Sequence, residues 1–421
     1  MREMDGSVMD VQVSVLEALQ PNRNLMRLTI KDYRGSSFPN WLRDYHLPNL
    51  VSLELLGCKL RSQFPPLGQL PSLKKLSISS CDRIEIIGSE FCGYNSSNVP
   101  FRSLETLRFE HMFEWKDWLC LEGFPLLREL CIKHCPKLKR ALPQHLPSLQ
   151  KLGIIDCQEL EASIPKAANI NELELKRCDD ILINELPSSL NRAILCGTRI
   201  IQSSLDQILY NSAFLEELEV EDFFDPNLEW SSLDFNSCNS LRTLNITGWH
   251  SSSLPFPLHL FTNLNSLVLY DCPLLESFSG RQLPSNLCSL QIEKCPKLMA
   301  SRDEWGLFQL NSLKQFSVSD DFEIFESFPE ESLLPSTIKS LELTNCSNLR
   351  IINYKGLLHL TSLESLCIED CPCLESLPEE GLPSSLSTLS IHDCPLIKLK
   401  YQKEEGESWH TISHIPDVII S

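Results

Sequence analysis

Ser362-Leu363-Glu364-Ser365-Leu366-Cys367-Ile368-Glu369-Asp370-Cys371 is the stretch whose reading decides the fold. Counting from Leu363, leucines stand at positions 1 and 4, isoleucine at 6 and cysteine at 9. The same frame runs Leu50…Leu53…Leu55…Cys58 and Leu73…Leu76…Ile78…Cys81, and returns at Leu264…Cys272, Leu287…Cys295, Ile338…Cys346 and Leu386…Cys394. Positions 4 and 6 alternate with 3, 5 and 7, which makes a short strand with one apolar face. One such strand buries too little to stand alone, so the units must stack edge to edge. Position 9 turns inward behind the strand, where cysteine serves as a small hydrophobe with a weak donor.

The frame L-x-x-L-x-L-x-x-N/C is that of a leucine-rich repeat. Sixteen copies begin at Leu25, Leu50, Leu73, Leu104, Leu127, Leu149, Ile170, Leu190, Leu215, Leu241, Leu264, Leu287, Leu313, Ile338, Leu363 and Leu386. The expected fold is α/β, a horseshoe-shaped solenoid with a parallel sheet on its concave face. Prolines two or three residues before many strands, as in Pro71-Ser72-Leu73, stop each convex segment. The convex side is expected to be mostly loops with short 3₁₀ or α turns. The domain plan is an N-terminal flank with an incomplete repeat at 1–24, repeats over 25–399 and a cap over 400–421.

Within the flank, Met9, Val11 and Val13 alternate and read as the remnant of an incomplete first strand. Ser14-Val15-Leu16-Glu17 reads as a capping box that opens a helix ending before Pro21. The third repeat is long and carries the loop signal Gly93 to Asn98. The eighth has Ala193 at position 4 and Thr198 at position 9, followed by a convex helix at Ser204–Leu209. The thirteenth has Asp321 at position 9. At the end, Trp409 to Pro416 is expected to cover the last rung.

The net charge of −19 and the lack of a basic stripe argue against nucleic acid. The start has no apolar signal region and no run is long enough to span a bilayer, so the expected compartment is the cytoplasm, with the nucleus as a second. Ten of the 18 cysteines sit at position 9, one repeat apart, and read as reduced core thiols. Cys131-Ile132-Lys133-His134-Cys135 is no metal site, because strand alternation sends Cys131 to the concave face and Cys135 to the ladder. Cys371-Pro372-Cys373 lacks redox spacing. No nucleophile elbow, carboxylate pair or G-x-x-x-x-G-K-[ST] loop is found, so no catalytic residue, cofactor or metal is assigned.

Ile87-Gly88-Ser89-Glu90-Phe91-Cys92-Gly93, then Pro100-Phe101-Arg102-Ser103-Leu104, then Glu114-Trp115-Lys116-Asp117-Trp118, together with Phe38-Pro39-Asn40-Trp41-Leu42 and the ending Trp409 to Ile419, are more specific than the repeat. In that order they resemble the leucine-rich-repeat region of plant intracellular immune receptors, the coiled-coil nucleotide-binding disease-resistance proteins. Cys92 stands where the resemblance leads one to expect an aromatic. The resemblance implies innate immunity and a non-catalytic recognition region. It would sense a pathogen effector or a guarded host protein, and restrain a nucleotide-binding domain in cis or in trans. A leucine-rich-repeat substrate adaptor of a ubiquitin ligase is the alternative among binding modules, and an enzyme with an unrecognised site the alternative from another class.

Recognition is expected from concave positions 3, 5, 7 and 8. In repeats 1 to 8 these hold the bases Arg27, Lys31, Lys75, Arg108, Lys133, Lys151, Lys176, Arg177 and Arg192. Seven acids oppose them: Asp32, Glu54, Glu110, Glu129, Asp156, Glu172 and Glu174. In repeats 9 to 16 they hold Glu217, Glu219, Glu221, Asp222, Asp271, Glu293, Asp320, Glu342, Glu369, Asp370 and Asp393 against Lys294 alone, with Tyr270 as a further contact candidate. The balance moves from +2 to −10, which suggests two protein-binding zones rather than one.

Overall fold

A computed structural model describes residues 6–42, 47–58, 63–93, 99–120, 122–139, 142–165, 169–178, 181–182, 187–197, 213–222, 239–254, 258–278, 283–319, 325–401 and 406–421. The chain forms two compact units, Met1–Phe214 and Leu215–Ser421. Each is a parallel-strand solenoid of stacked coils. In the first unit the rung strands are β1 Arg27–Lys31, β2 Ser52–Leu56, β3 Lys75–Ser79, β4 Thr106–Glu110, β5 Glu129–Lys133, β6 Lys151–Ile155, β7 Glu172–Lys176 and β8 Arg192–Cys196. In the second they are β9 Glu217–Glu221, β10 Thr243–Thr247, β11 Ser266–Tyr270, β12 Ser289–Glu293, β13 Gln315–Ser319, β14 Ser340–Thr344, β15 Ser365–Glu369, β16 Thr388–His392 and β17 Asp417–Ile420.

Every one of the sixteen expected frames therefore carries a strand over its positions 3 to 7. Within each unit, neighbours pair parallel and position for position, as Leu53 with Leu76 and Leu341 with Leu366. The frame explains the register: a slip of one residue would turn Leu366 and Ile368, both 0% exposed, out to solvent. Just before each strand two amides share one carbonyl of the preceding rung, as Val51 and Ser52 donate to the Met26 oxygen at 2.8 and 3.0 Å. The serine before position 1 adds a side-chain bond of the same sense, as Ser103 Oγ donates to the Pro71 oxygen at 2.7 Å.

The position-9 cysteines lie buried as free thiols. Each thiol reaches back two residues, as Cys178 Sγ donates to the Lys176 oxygen at 3.1 Å and Cys295 Sγ to that of Glu293 at 3.1 Å. Reduced thiols do not extend to all the cysteines, however. Cys92 and Cys120, both off the ladder, are joined by a disulfide between Cα atoms 6.1 Å apart. Cys92 thus stands in place of an aromatic as one half of a bond between the third and fourth rungs.

The back of the solenoid holds turns with few helices, as expected. Short 3₁₀ turns such as Leu67–Gln69 and Leu307–Gln309 alternate with two-residue strand pairs such as Ile86–Ile87 with Asp117–Trp118. In the first unit the back is filled by rings. Tyr33, Phe38, Phe64, Phe91, Phe101 and Phe124 follow one another at centroid distances of 5.0–6.3 Å. Trp115 and Trp118 pack on Phe109 at 4.7 and 5.5 Å. Of the residues that carry the family resemblance, Phe38, Trp41, Phe91, Phe101, Trp115 and Trp118 are thus core.

Both ends differ from expectation. Met9, Val11 and Val13 are no strand: α1 spans Gly6–Ala18, so Ser14 lies inside the helix and not at its start. Tertiary anchoring outweighs the alternation. Arg34 N–H donates to Gln12 Oε1 at 2.8 Å, Asn40 N–H to Glu17 Oε2 at 2.8 Å and Trp41 Nε1 to the Leu16 carbonyl at 3.0 Å. Those acceptors share one side of a helix, at the i, i+4 and i+5 spacing. At the other end, Ile412 and Ile415 are buried as a cap should be. The sheet does not stop with the sixteenth repeat, though: β17 adds a further strand on β16, with Leu389 facing Val418 and Ile391 facing Ile420. The expected features at Thr198, Ser204–Leu209, Asp321 and most of the Gly93–Asn98 loop lie outside the described residues.

Candidate protein-binding face

Positions 4 and 6 of each rung are spent on the core, which leaves 3, 5 and 7 on the open face of each sheet. The candidate residues fall there. Arg27, Lys75, Arg108, Lys133 and Lys151 lie on β1, β3, β4, β5 and β6, and Glu217, Glu219 and Glu221 on β9. Tyr270, Glu293, Glu342 and Glu369 lie on β11, β12, β14 and β15. Arg177, Asp222, Asp271 and Asp370 sit in the turns that follow.

Those turns change the reading of position 8. Asp32, Ser80, His111, His134, Asp156, Arg177, Asp222, Asp271, Lys294, Asn345, Asp370 and Asp393 all have φ between 49° and 55°, and Gly57, Gly197 and Gly248 are likewise positive. Position 8 is therefore a left-handed residue in every rung described there. Its amide donates to the position-7 carbonyl of the next rung, as Asp156 N to the Lys176 oxygen at 2.9 Å. Among non-glycine residues, Asn and Asp tolerate this conformation best. Position 8 thus answers to the backbone as well as to any partner, since the left-handed turn favours the aspartates there. With it set aside, positions 3, 5 and 7 of the first eight repeats hold eight bases against five acids. Those of the second eight hold six acids and no base. The contrast is smaller than the expected one and keeps its sign.

The two faces are built differently. On the first, position-3 charges alternate from rung to rung: Glu129, Lys151, Glu172, Arg192. Lys151 Nζ lies 2.6 Å from Glu172 Oε1, and Arg108 Nη2 lies 2.6 Å from Glu129 Oε1. Such exposed pairs stabilise by about 0.2–1 kcal/mol each. Beside them runs a row of turn residues. The rings of His111 and His134 stack at 4.6 Å, His134 Nδ1 lies 2.8 Å from Asp156 Oδ2, and Arg177 grips the other side of Asp156 through Nε and Nη2. The Arg177 hydrogen bonds hold the Asp156 carboxyl below the usual range.

On the second face, Lys294 Nζ sits 5.3 Å from the centre of the Tyr270 ring and donates to its hydroxyl at 3.2 Å. The single base of that face thus lies against an aromatic within the face itself. The Cys131-to-Cys135 segment separates as alternation requires: Cys131 opens toward the sheet face and Cys135 lies in the ladder. Burial pushes the Cys131 thiol up to about 11. No helix among the described residues is long and apolar enough to cross a membrane.

Residues 2–81 match the family model for R13L1/DRL21 leucine-rich repeats. Along 90% of its length the chain is 27% identical to a putative disease resistance protein of Arabidopsis thaliana, of which it covers 28%. It is 34% identical over 247 residues, 55% of its length, to the putative disease resistance RPP13-like protein 1 of the same plant, covering 22% of that protein. It is 32% identical over 191 residues, 42% of its length, to disease resistance protein RGA2 of Solanum bulbocastanum, covering 19%. The chain thus spans less than a third of each of these relatives. Among solved structures it is similar to YopM from Yersinia enterocolitica WA-314, at 19% identity and a TM-score of 0.46, over 93% of this chain and 78% of that one. The chain is thus a leucine-rich-repeat solenoid similar in sequence to the repeat regions of plant disease-resistance proteins.

Proposed function

We propose that this region recognises proteins and catalyses nothing, sensing a pathogen effector or a guarded host protein while holding a signalling module off. The observation that carries this reading is the charge division at positions 3, 5 and 7, which neither the core nor the turn requires. On the first unit's face the bases and acids interlock, a pattern suited to docking on a neighbouring receptor domain such as a nucleotide-binding module. Positions 3, 5 and 7 of the second eight repeats carry the acids Glu217, Glu219, Glu221, Glu293, Glu342 and Glu369 and no Lys or Arg. Glu217, Glu219 and Glu221 follow one another at every second residue of β9, about 6.6 Å apart, and repel by under about 1 kcal/mol a pair in water. A face that tolerates this suits a basic partner, whose approach it would steer. We place the region in the cytoplasm, with the nucleus as a second compartment.

Moving a switch from 1:99 to 99:1 needs about 5.5 kcal/mol of differential binding, so both faces must contribute many contacts. The test uses a full-length receptor that carries this region. Arg108→Glu with Lys133→Glu should give cell death without ligand. Glu219→Lys with Glu221→Lys should leave the resting state quiet and abolish the response to ligand. Equal behaviour of the two pairs, or no effect from either while the protein accumulates, would refute the two-face reading.

A further inference from the structure

Gly153 occupies position 5 of β6 and is the single glycine among the outward strand positions of the sixteen rungs. Glycine weakens a strand, and in a strand interior it marks a bulge, a bend or a place where something comes close. Here there is neither bulge nor bend: β6 pairs in unbroken register with β5 and β7. Nor does crowding demand it. A Cβ at Gly153 would meet only Cys131 Sγ and Glu174 Oε2, both at 3.7 Å, which is ordinary contact, and its φ is not in the left-handed region. The fold would accept a side chain at this position and does not have one.

The consequence is a hollow of about 210 Å³ on the open face of the first unit. Along its central row stand Arg108, Cys131, Gly153 and Glu174, in register. The small pair in the middle leaves a gap two rungs long, closed by a guanidinium at one end and a carboxylate at the other. Small-molecule sites run to about 300–1,000 Å³, so this one has room for a single large side chain.

We propose that the hollow over Gly153 seats an aromatic side chain with a polar tip, of the tyrosine kind, presented by a protein partner. The proposal rests on the reading of this face as a protein-docking surface. A charged side chain gains little, because the walls carry both signs, with Arg108 paired to Glu129 and Lys151 to Glu172, beside Lys133, Glu174 and Arg192. The floor is uncharged, since burial keeps the Cys131 thiol protonated at neutral pH. An aromatic ring gains over an aliphatic chain in two ways: cationic groups of Arg108 and Lys151 stand at the walls for cation–π contact, and the Cys131 sulfur lies at the floor. The tip hydroxyl would donate to the Glu174 carboxylate.

The test is ligand-observed saturation-transfer NMR on the full chain, with N-acetyl-tyrosinamide as the probe and N-acetyl-leucinamide and N-acetyl-aspartamide as comparators. Wild type should bind the tyrosine amide with a Kd of about 1–10 mM, as suits one side chain, and the other two at least about fivefold more weakly. Gly153→Val should lose the tyrosine amide by more than about tenfold while its melting temperature rises by about 1–3 °C. Gly153→Ala should fall between. Equal binding of the leucine amide, no binding of any amide, or unchanged binding by Gly153→Val would each overturn the proposal. Arg108 and Lys133 line the same hollow, but ligand-free cell death is read on the charge-reversed receptor and amide binding on Gly153→Val, which keeps both bases, so either result can fail without the other.

Discussion

Replacing Asp370 separates the two reasons for which an acid can stand at position 8. Asp370 is exposed, has φ 53° and donates its amide to the His392 carbonyl at 3.1 Å, the last bond between β15 and β16. If conformation selects the residue, Asp370→Gly should change stability by less than about 0.5 kcal/mol, because glycine adopts this φ freely. Asp370→Val should cost about 1–2 kcal/mol for the left-handed backbone, and up to about 3 if the turn relaxes and the amide bond is lost. If charge selects it, both variants lose the same carboxylate and should behave alike. A solenoid need not unfold in one step, so the readout is native-state hydrogen exchange at the amides of β15 and β16. Valine should lower protection there about 5- to 150-fold and leave β10 unaffected, while glycine should leave both as they are. Equal loss for glycine and valine would refute the conformational account and return Asp370 to the recognition surface.

Two further outcomes follow from the core and from the ion pairs. Leu366→Ala, at a site 0% exposed, should cost about 2–5 kcal/mol in chemical unfolding, with exchange protection falling in the adjacent rungs β14 and β16 as well; damage confined to β15 would contradict the stacking argument. Asp156 is held below the usual range mainly by its hydrogen bonds to Arg177. A carboxyl lowered in this way stabilises the fold above its unfolded pKa, and the stabilisation fades as pH falls through the lowered folded value. Protection of β6 and β7 should therefore drop at pH below about 4 in the wild type and be flatter with pH in Asp156→Asn; identical profiles would argue that the pair contributes nothing.

What could be read from the letters depended on whether a residue's role is local. The rungs were legible because position 4 and position 6 face the same core in each repeat, so Leu366 and Ile368 repeat their chemistry at a fixed distance. The left-handed turn was equally local and left a signal: Asp, Asn or Gly fills position 8 in eleven of sixteen repeats. The ends were not legible. Asp417–Ile420 has no leucine frame and becomes a strand because β16 offers an unpaired edge. The helix α1 is held by Arg34, Asn40 and Trp41, none of them its neighbour in sequence. Cys92 and Cys120, 28 residues apart and off the frame, have no spacing that marks them as a pair. As for the candidate site, alternation placed its outward residues correctly. The depth beside Gly153 appears only once Cys131 and Glu174 are set on either side of it.

The unbroken register of the rungs bears on how such a chain can change over generations. Successive strands begin 20 to 31 residues apart in the first unit and 23 to 29 in the second, yet each pairs with the next position for position, over five residues in every pair but β16 with β17, which shares four. Length is absorbed at the back, and the seam between two strands is nearly the same wherever it occurs. Unequal exchange between repeats of one gene, or between sister genes, would therefore delete or duplicate a whole rung and leave both new neighbours able to join. What it would alter is the order of the outward rows, such as the sequence Arg108, Cys131, Gly153, Glu174. A lineage could in this way reshuffle its binding surfaces in single genetic events without testing the fold each time.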